Sequence, residues 1–81
     1  MRDHQILWEI SRLIGEEHRL RERLTAGEIS PEEGAEEMRC IEQALDRCWD
    51  LVRQRRARRD AGEDPDHASP RPVSEIEDYG Q

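Results

Sequence analysis

Apolar residues recur every three or four positions in two stretches of the chain, and each stretch predicts one amphipathic helix. The first helix is predicted over about residues 3–26, with Asp3 as its N-cap, and the second over about 31–60. The apolar positions follow a heptad spacing, which is typical of coiled-coil packing. The residues predicted to pack in the core or in a dimer are Ile6, Trp8, Ile10, Leu13, Leu20, Leu24, Met38, Ile41, Leu45, Trp49 and Val52.

The connection between the two helices has the residues of a tight helical turn. Gly27 stands where a helix commonly ends in left-handed geometry. Ser30 is the predicted N-cap of the second helix, a proline follows it, and Glu33 completes a capping box. We therefore predict that residues 1–60 form an antiparallel helical hairpin. Opposed residues then have numbers that sum to about 57, which places Trp8 level with Trp49.

The apolar stripes are wider than two helices can bury against each other, because Leu7 and Ile14 flank the seam of the first helix. The chain has no third long amphipathic pattern. Two hairpins packed as a four-helix bundle would bury both stripes, so we predict an all-α fold and a homodimer. A monomer closed by its own C-terminal segment and docking onto a different protein are the alternatives.

Residues 61–81 form a separate acidic tail that contains three prolines, which interrupt any helix. The tail has six acidic residues and one Arg, so it carries most of the net charge of −7. It is predicted to be partly disordered or to fold back on the basic end of the second helix. Val73, Ile76 and Tyr79 recur at three-residue spacing and indicate a short docking turn.

The second helix ends in a group of arginines that is predicted to project beyond the first helix and to bind a partner. Cations also suit the C-terminal end of a helix dipole, so capping and solubility explain the same residues. An acidic protein is the favoured outside partner, and nucleic acid is the less favoured one because no aromatic residues interleave with the arginines. This arginine cluster consists of Arg53, Arg55, Arg56, Arg58 and Arg59.

The amino-acid composition limits the kinds of function that this chain is expected to have. Charged residues reach 41% and hydrophobic ones 33%, with no Phe, so the core is thin and offers no pocket. No nucleophile stands with a plausible base, and no spacing fits a metal or cofactor, so we predict no catalytic residue, metal or cofactor. The acidic net charge disfavours non-specific binding to nucleic acid or anionic membrane.

The cysteines and the absence of long apolar runs indicate the cellular compartment in which the protein resides. Cys40 and Cys48 are eight residues apart on one predicted helix, too far to form a disulfide with each other. They fit small apolar residues in a reducing compartment, with an intermolecular disulfide or a reactive thiol as the alternative. We find no signal peptide pattern and no membrane-span pattern, so we predict a cytoplasmic protein without a membrane partner.

A family of short, uncharacterised bacterial proteins resembles this chain in three runs: GEISPEE, LDRCWDLVRQRRARRDAGEDPD and RPVSEIEDYGQ. The segment DRCWD followed by RQRRA is the most specific part, and the resemblance covers essentially the whole chain. It implies no activity, cofactor or catalytic residue, but it implies that the arginine-rich helix end and the tail form one unit.

The function that the sequence favours is a non-catalytic, homodimeric protein-interaction module or adaptor. The alternative is a nucleic-acid-associated regulator that uses the arginine cluster.

Overall fold

The computed structural model describes residues 2–70, and these form two long helices followed by one short 3-10 turn. Helix α1 spans Asp3–Thr25 and helix α2 spans Pro31–Asp60, and the 3-10 turn spans Pro65–His67. The two helices pack against each other, and residues 2–70 contain no strand. The predicted all-α helical hairpin is confirmed. The docking turn predicted around Val73, Ile76 and Tyr79 lies outside the described residues.

The turn between the helices is held by backbone hydrogen bonds around Gly27. Gly27 has a φ of 73°, in the left-handed region that a glycine adopts without a steric penalty. Its N–H bonds the Leu24 carbonyl at 3.1 Å, and the Glu28 N–H bonds the Arg23 carbonyl at 2.9 Å. These two bonds form a Schellman motif, so α1 ends where the sequence predicts.

Helix α2 begins at a capped and closely packed position. The Ser30 hydroxyl accepts a hydrogen bond from the Glu33 backbone N–H at 3.1 Å, as expected for an N-cap. One residue later Gly34 is buried against α1, where an added Cβ would lie 2.9 Å from Cδ1 of Leu24. The numbers of this opposed pair sum to 58, which agrees with the predicted register. The closed end of the hairpin (residues 24–34) therefore depends on local contacts.

The start of α1 differs from the prediction. The N-cap is Arg2, and its backbone N–H donates to Oε1 of Gln5 at 2.7 Å. Asp3 is the first residue of the helix, and its carboxylate pairs instead with Arg55 and Arg59 of α2. The predicted N-cap role of Asp3 is wrong because two guanidinium groups from the C-terminal end of α2 bind its carboxylate.

The core runs along the facing sides of the helices and is densest at the open end, where the start of α1 meets the end of α2. Its buried apolar residues are Ile6, Ile10, Leu13, Leu20 and Leu51. Ile6 is fully buried and packs with Ile10 and Leu51. The residues at the edge of this cluster are Leu45, Cys48, Val52 and Ala68. Ala68 comes after α2, so the chain beyond the hairpin takes part in its core.

The residues predicted to pack differ widely in exposure. Four are buried: Ile6, Ile10, Leu13 and Leu20. Five are half-buried: Leu24, Met38, Ile41, Leu45 and Val52. Both tryptophans are exposed, Trp8 to 67% and Trp49 to 44%. Trp8 does not reach the hairpin core because it stands two residues from both Ile6 and Ile10, and a two-residue step rotates a side chain by about 200°.

Candidate functional sites: a polar cluster and an apolar face

Arg55 joins three parts of the chain at the open end of the hairpin. It is 7% exposed, and its guanidinium donates from Nε to Asp3 and from Nη1 to Oδ1 of Asp66 at 3.0 Å. Arg59 adds a contact of 2.9 Å to the other carboxylate oxygen of Asp3. Arg55 thereby links the start of α1, the end of α2 and the 3-10 turn. We call Asp3, Arg55, Arg59 and Asp66 the polar cluster.

The charges in the polar cluster stabilise one another. Hydrogen bonds from Arg59 and then Arg55 lower the pKa of Asp3, and a hydrogen bond from Arg55 lowers the pKa of Asp66. The same bonds, to Asp3 first and Asp66 second, raise the pKa of Arg55. All three groups are therefore charged at neutral pH.

Gln54 holds the backbone of the segment that follows α2 (residues 61–70). Its Nε2 donates to the Ser69 carbonyl at 2.7 Å, and its Oε1 accepts from the Ser69 N–H at 3.3 Å. The same Nε2 donates to Oδ2 of Asp50 at 2.8 Å, and Asp50 is fully buried. No pairing of Gln54 with Asp50 is predicted from the sequence. Their spacing of four residues, which puts them on one face of α2, was the only pattern that pointed to a pair.

The arginine cluster is only partly free at the surface, because several of its members contact carboxylates of the same chain. That the cluster binds a partner stays a prediction. Arg55 is buried in the polar cluster and Arg59 contacts Asp3. Within residues 2–70, the other ion pairs of this cluster are Arg58 with Glu63 at 3.1 Å and Arg53 with Asp50 at 4.0 Å. Within residues 2–70, Arg56 makes no ion pair. Acidic groups from the start of α1 and from the segment after α2 contact these arginines, so only Arg53 and Arg56 retain much freedom to contact another molecule.

A second candidate site is formed by exposed apolar side chains. Leu7 is 48% exposed and Ile14 is 43% exposed, and their spacing of seven residues puts them on one flank of α1. On α2, Leu45, Trp49 and Val52 follow four–three spacing along one flank. Leu45 and Val52 also touch the core cluster, whereas the Trp49 side chain extends further into solvent.

Both apolar flanks face the same side of the hairpin. An open groove between the helices has Glu16 of α1 and Cys40 of α2 in its lining. In α1, Ile14 and Glu16 lie on opposite flanks of the buried stripe, and in α2 the same is true of Trp49 and Cys40. Since Glu16 and Cys40 line one groove, Ile14 and Trp49 lie on the other side. We call Leu7, Ile14, Leu45, Trp49 and Val52 the apolar face.

The remaining chemistry in residues 2–70 is sparse. No group of three or more His, Cys, Asp or Glu residues in this range is placed to hold a metal ion. Cys40 and Cys48 are both free thiols, and burial raises the pKa of Cys48. Neither α1 nor α2 has a stretch long and apolar enough to cross a membrane.

Comparison with known proteins agrees with the resemblance found in the sequence. The chain is similar to an uncharacterized protein of Mycobacterium tuberculosis (strain H37Rv) and to one of Mycobacterium bovis. Each is 47% identical over 77 residues, which covers 95% of this chain and 88% of the relative. No solved structure matches the chain. A family model matches residues 2–81, and the chain therefore belongs to the family described as "Protein of unknown function (DUF2630)".

Proposed function

We propose that this protein is a non-catalytic, homodimeric interaction module in which two hairpins pack through their apolar faces. The observation that carries the proposal is the joint exposure of Leu7, Ile14 and Trp49 on one side of the hairpin. Fully burying an exposed Leu or Ile side chain stabilises an assembly by about 1.5–3 kcal/mol, and Leu7 and Ile14, which are about half exposed, can each contribute roughly half of that. A two-helix hairpin leaves this contribution unused, whereas a four-helix bundle realises it.

The proposed dimer leaves a second surface accessible on each hairpin. Gln54 lies fourteen residues after Cys40, close to four helical turns, so it falls on the groove side of α2. The segment that Gln54 binds is therefore on the side away from the apolar face. Each dimer would display two copies of this segment and of Arg53 and Arg56, an arrangement that suits an adaptor with two equivalent contact points.

The internal ion pairs favour a protein partner over nucleic acid. A regulator that used the arginine cluster on phosphates would need its guanidinium groups free, since phosphate contacts dominate such binding. Arg55, Arg58 and Arg59 already contact carboxylates of the same chain. The net charge of −7 further opposes approach to a polyanion. Tight binding to DNA or RNA at low salt that weakens steeply as salt is added would favour the alternative.

The proposal is tested by the mass of the protein in solution. We expect sedimentation equilibrium at micromolar concentration to give twice the 9.6 kDa chain mass. Trp49→Glu or Ile14→Glu would place a charge in the apolar face and is expected to yield the monomer with its helices retained. Trp8→Glu is the matched control, because Trp8 is more exposed but lies outside the apolar face, so this variant should remain a dimer. A wild-type chain that is monomeric at micromolar concentration would refute the proposal.

A further inference from the structure

The charge distribution along α2 indicates how two copies would be oriented. We propose that the second copy docks with reversed polarity, so that α2 packs antiparallel to α2 of the other copy. The open ends of the two hairpins then lie at opposite ends of the dimer. This inference rests on the proposed homodimer and adds to it the orientation and the residue pairs of the interface.

The exposed flank of α2 has a repeating pattern with one charge toward each end. Four–three spacing through Leu45 and Trp49 extends in both directions along the helix. The positions on this flank are Met38, Glu42, Leu45, Trp49, Val52 and Arg56. Glu42 and Arg56 are its only charged members, and neither makes an ion pair within residues 2–70. Each therefore has its charge available for a second molecule.

The whole of α2 shows the same charge separation, with acidic residues in its first half and basic residues in its second half. Residues 31–46 contain six acidic residues and one Arg, whereas residues 47–60 contain six Arg and two acidic residues. Two such helices side by side in the same direction would bring like charges together along their length. Antiparallel helices bring the acidic half of one against the basic half of the other. Their dipoles are also opposed in this arrangement, which is the favourable orientation.

An antiparallel register also matches apolar residues with apolar residues. A two-fold axis close to residue 48 places Trp49 level with residue 47 of the second copy, midway between Leu45 and Trp49 of that copy, and the reverse contact follows from the symmetry. The same axis places Glu42 beside Arg53 and Arg56 of the second copy. In this single register the apolar faces of the two copies meet, and each Glu42 lies close to arginines of the other copy.

The orientation is tested by the distance between spin labels on the two copies. The label is attached at Glu32→Cys, an exposed position off the proposed interface, in a background with Cys40→Ser and Cys48→Ala. Position 32 is sixteen residues from the axis, so reversed polarity separates the two labels by about 50 Å at 1.5 Å per residue. If the open ends of the two hairpins lay at the same end of the dimer, the two labels would be roughly 10–25 Å apart, a separation set by helix packing distances.

The outcomes separate this inference from the proposed homodimer. A peak near 50 Å supports reversed polarity. A short distance in a sample with dimer mass overturns the orientation and leaves the homodimer standing. A monomer mass with no dipolar coupling overturns both, provided that the wild-type chain is also monomeric. Circular dichroism and mass of the labelled background against wild type show whether the cysteine substitutions preserve the fold.

Charge reversal gives a second test in the chain with its natural cysteines. Glu42→Arg and Arg56→Glu each place like charges across the reversed interface, twice per dimer. We expect each single variant to weaken dimerisation roughly 2- to 30-fold, as for the loss of two exposed ion pairs. The double variant restores opposite charges and should recover most of the affinity. Additive losses in the double variant would overturn the proposed pairing.

Discussion

The two ends of the hairpin are held in different ways. At the closed end the contacts join residues close in sequence, such as Ser30 with Glu33 and Leu24 with Gly34. At the open end Arg55 contacts Asp3, which is 52 residues away, and Asp66, which follows it by 11. The comparison shows that local chemistry sets where this chain turns, whereas distant polar groups set how its ends are fastened.

The largest effect is expected from the core of the open end. Ile6 is fully buried beside Ile10 and Leu51, so Ile6→Ala removes apolar contacts and leaves a cavity. We expect the variant to lose about 2–5 kcal/mol of unfolding free energy, measured by urea denaturation at one fixed protein concentration. Ser11→Ala, at an exposed site of the same helix, is the control and should change stability by less than about 0.5 kcal/mol. A loss as small as that of the control would show that the open end contributes little to stability.

An intermediate effect is expected at the closed end, with opposite signs for two helical glycines. Gly34→Ala forces a Cβ into the Leu24 side chain, so overpacking of about 1–3 kcal/mol exceeds the helix-propensity gain of about 0.5–1 kcal/mol. In Gly15→Ala the added Cβ meets only the flexible guanidinium of Arg19, whose nearest atom lies at 3.4 Å, so the variant should gain about 0.5–1 kcal/mol. Thermal unfolding of the two variants checks the prediction. Stabilisation by both would mean that Leu24 moves aside freely.

The smallest effect is expected from acidification of the polar cluster. Folding lowers the pKa of both Asp3 and Asp66, so their stabilisation is complete above about pH 4 and is lost as the pH falls through the folded-state values. We expect the melting temperature of the wild type to fall more between pH 5 and pH 3 than that of Asp3→Asn/Asp66→Asn.

Asp46→Asn provides the control for the acid experiment, because Asp46 is exposed and makes no ion pair in the described part of the chain. This variant should follow the wild-type pH dependence. If the double variant at Asp3 and Asp66 also follows it, the polar cluster does not stabilise the fold through its charges.

The sequence predicted the closed end well because each of its features is local. Gly27 and Ser30 are residue types that their own backbone positions require, and their spacing alone specifies a tight turn. The close packing at Gly34 was not predicted, because a glycine inside a helical pattern does not show which residue packs against it. Its role depends on Leu24 lying opposite, which only the assembled pair of helices reveals.

The open end was predicted less completely because its contacts have no local pattern. Asp3 fits an N-cap by its position, yet two arginines from α2 take its carboxylate. The arginine cluster was correctly located, but the geometry that buries Arg55 and leaves Arg56 exposed depends on the path of residues 61–70. The tail was predicted either to be disordered or to fold back, and its described part, through Pro70, folds back onto α2.

The position of Arg55 also orders the steps by which this chain can reach its final form. Asp3 is synthesised near the beginning and Asp66 near the end, and Arg55 binds both. The polar cluster therefore cannot be complete on a growing chain until residue 66 is free to move, long after the turn at Gly27 has been available. The hairpin can close from its turn outward, and Arg55 links the segments around Asp3 and Asp66 last.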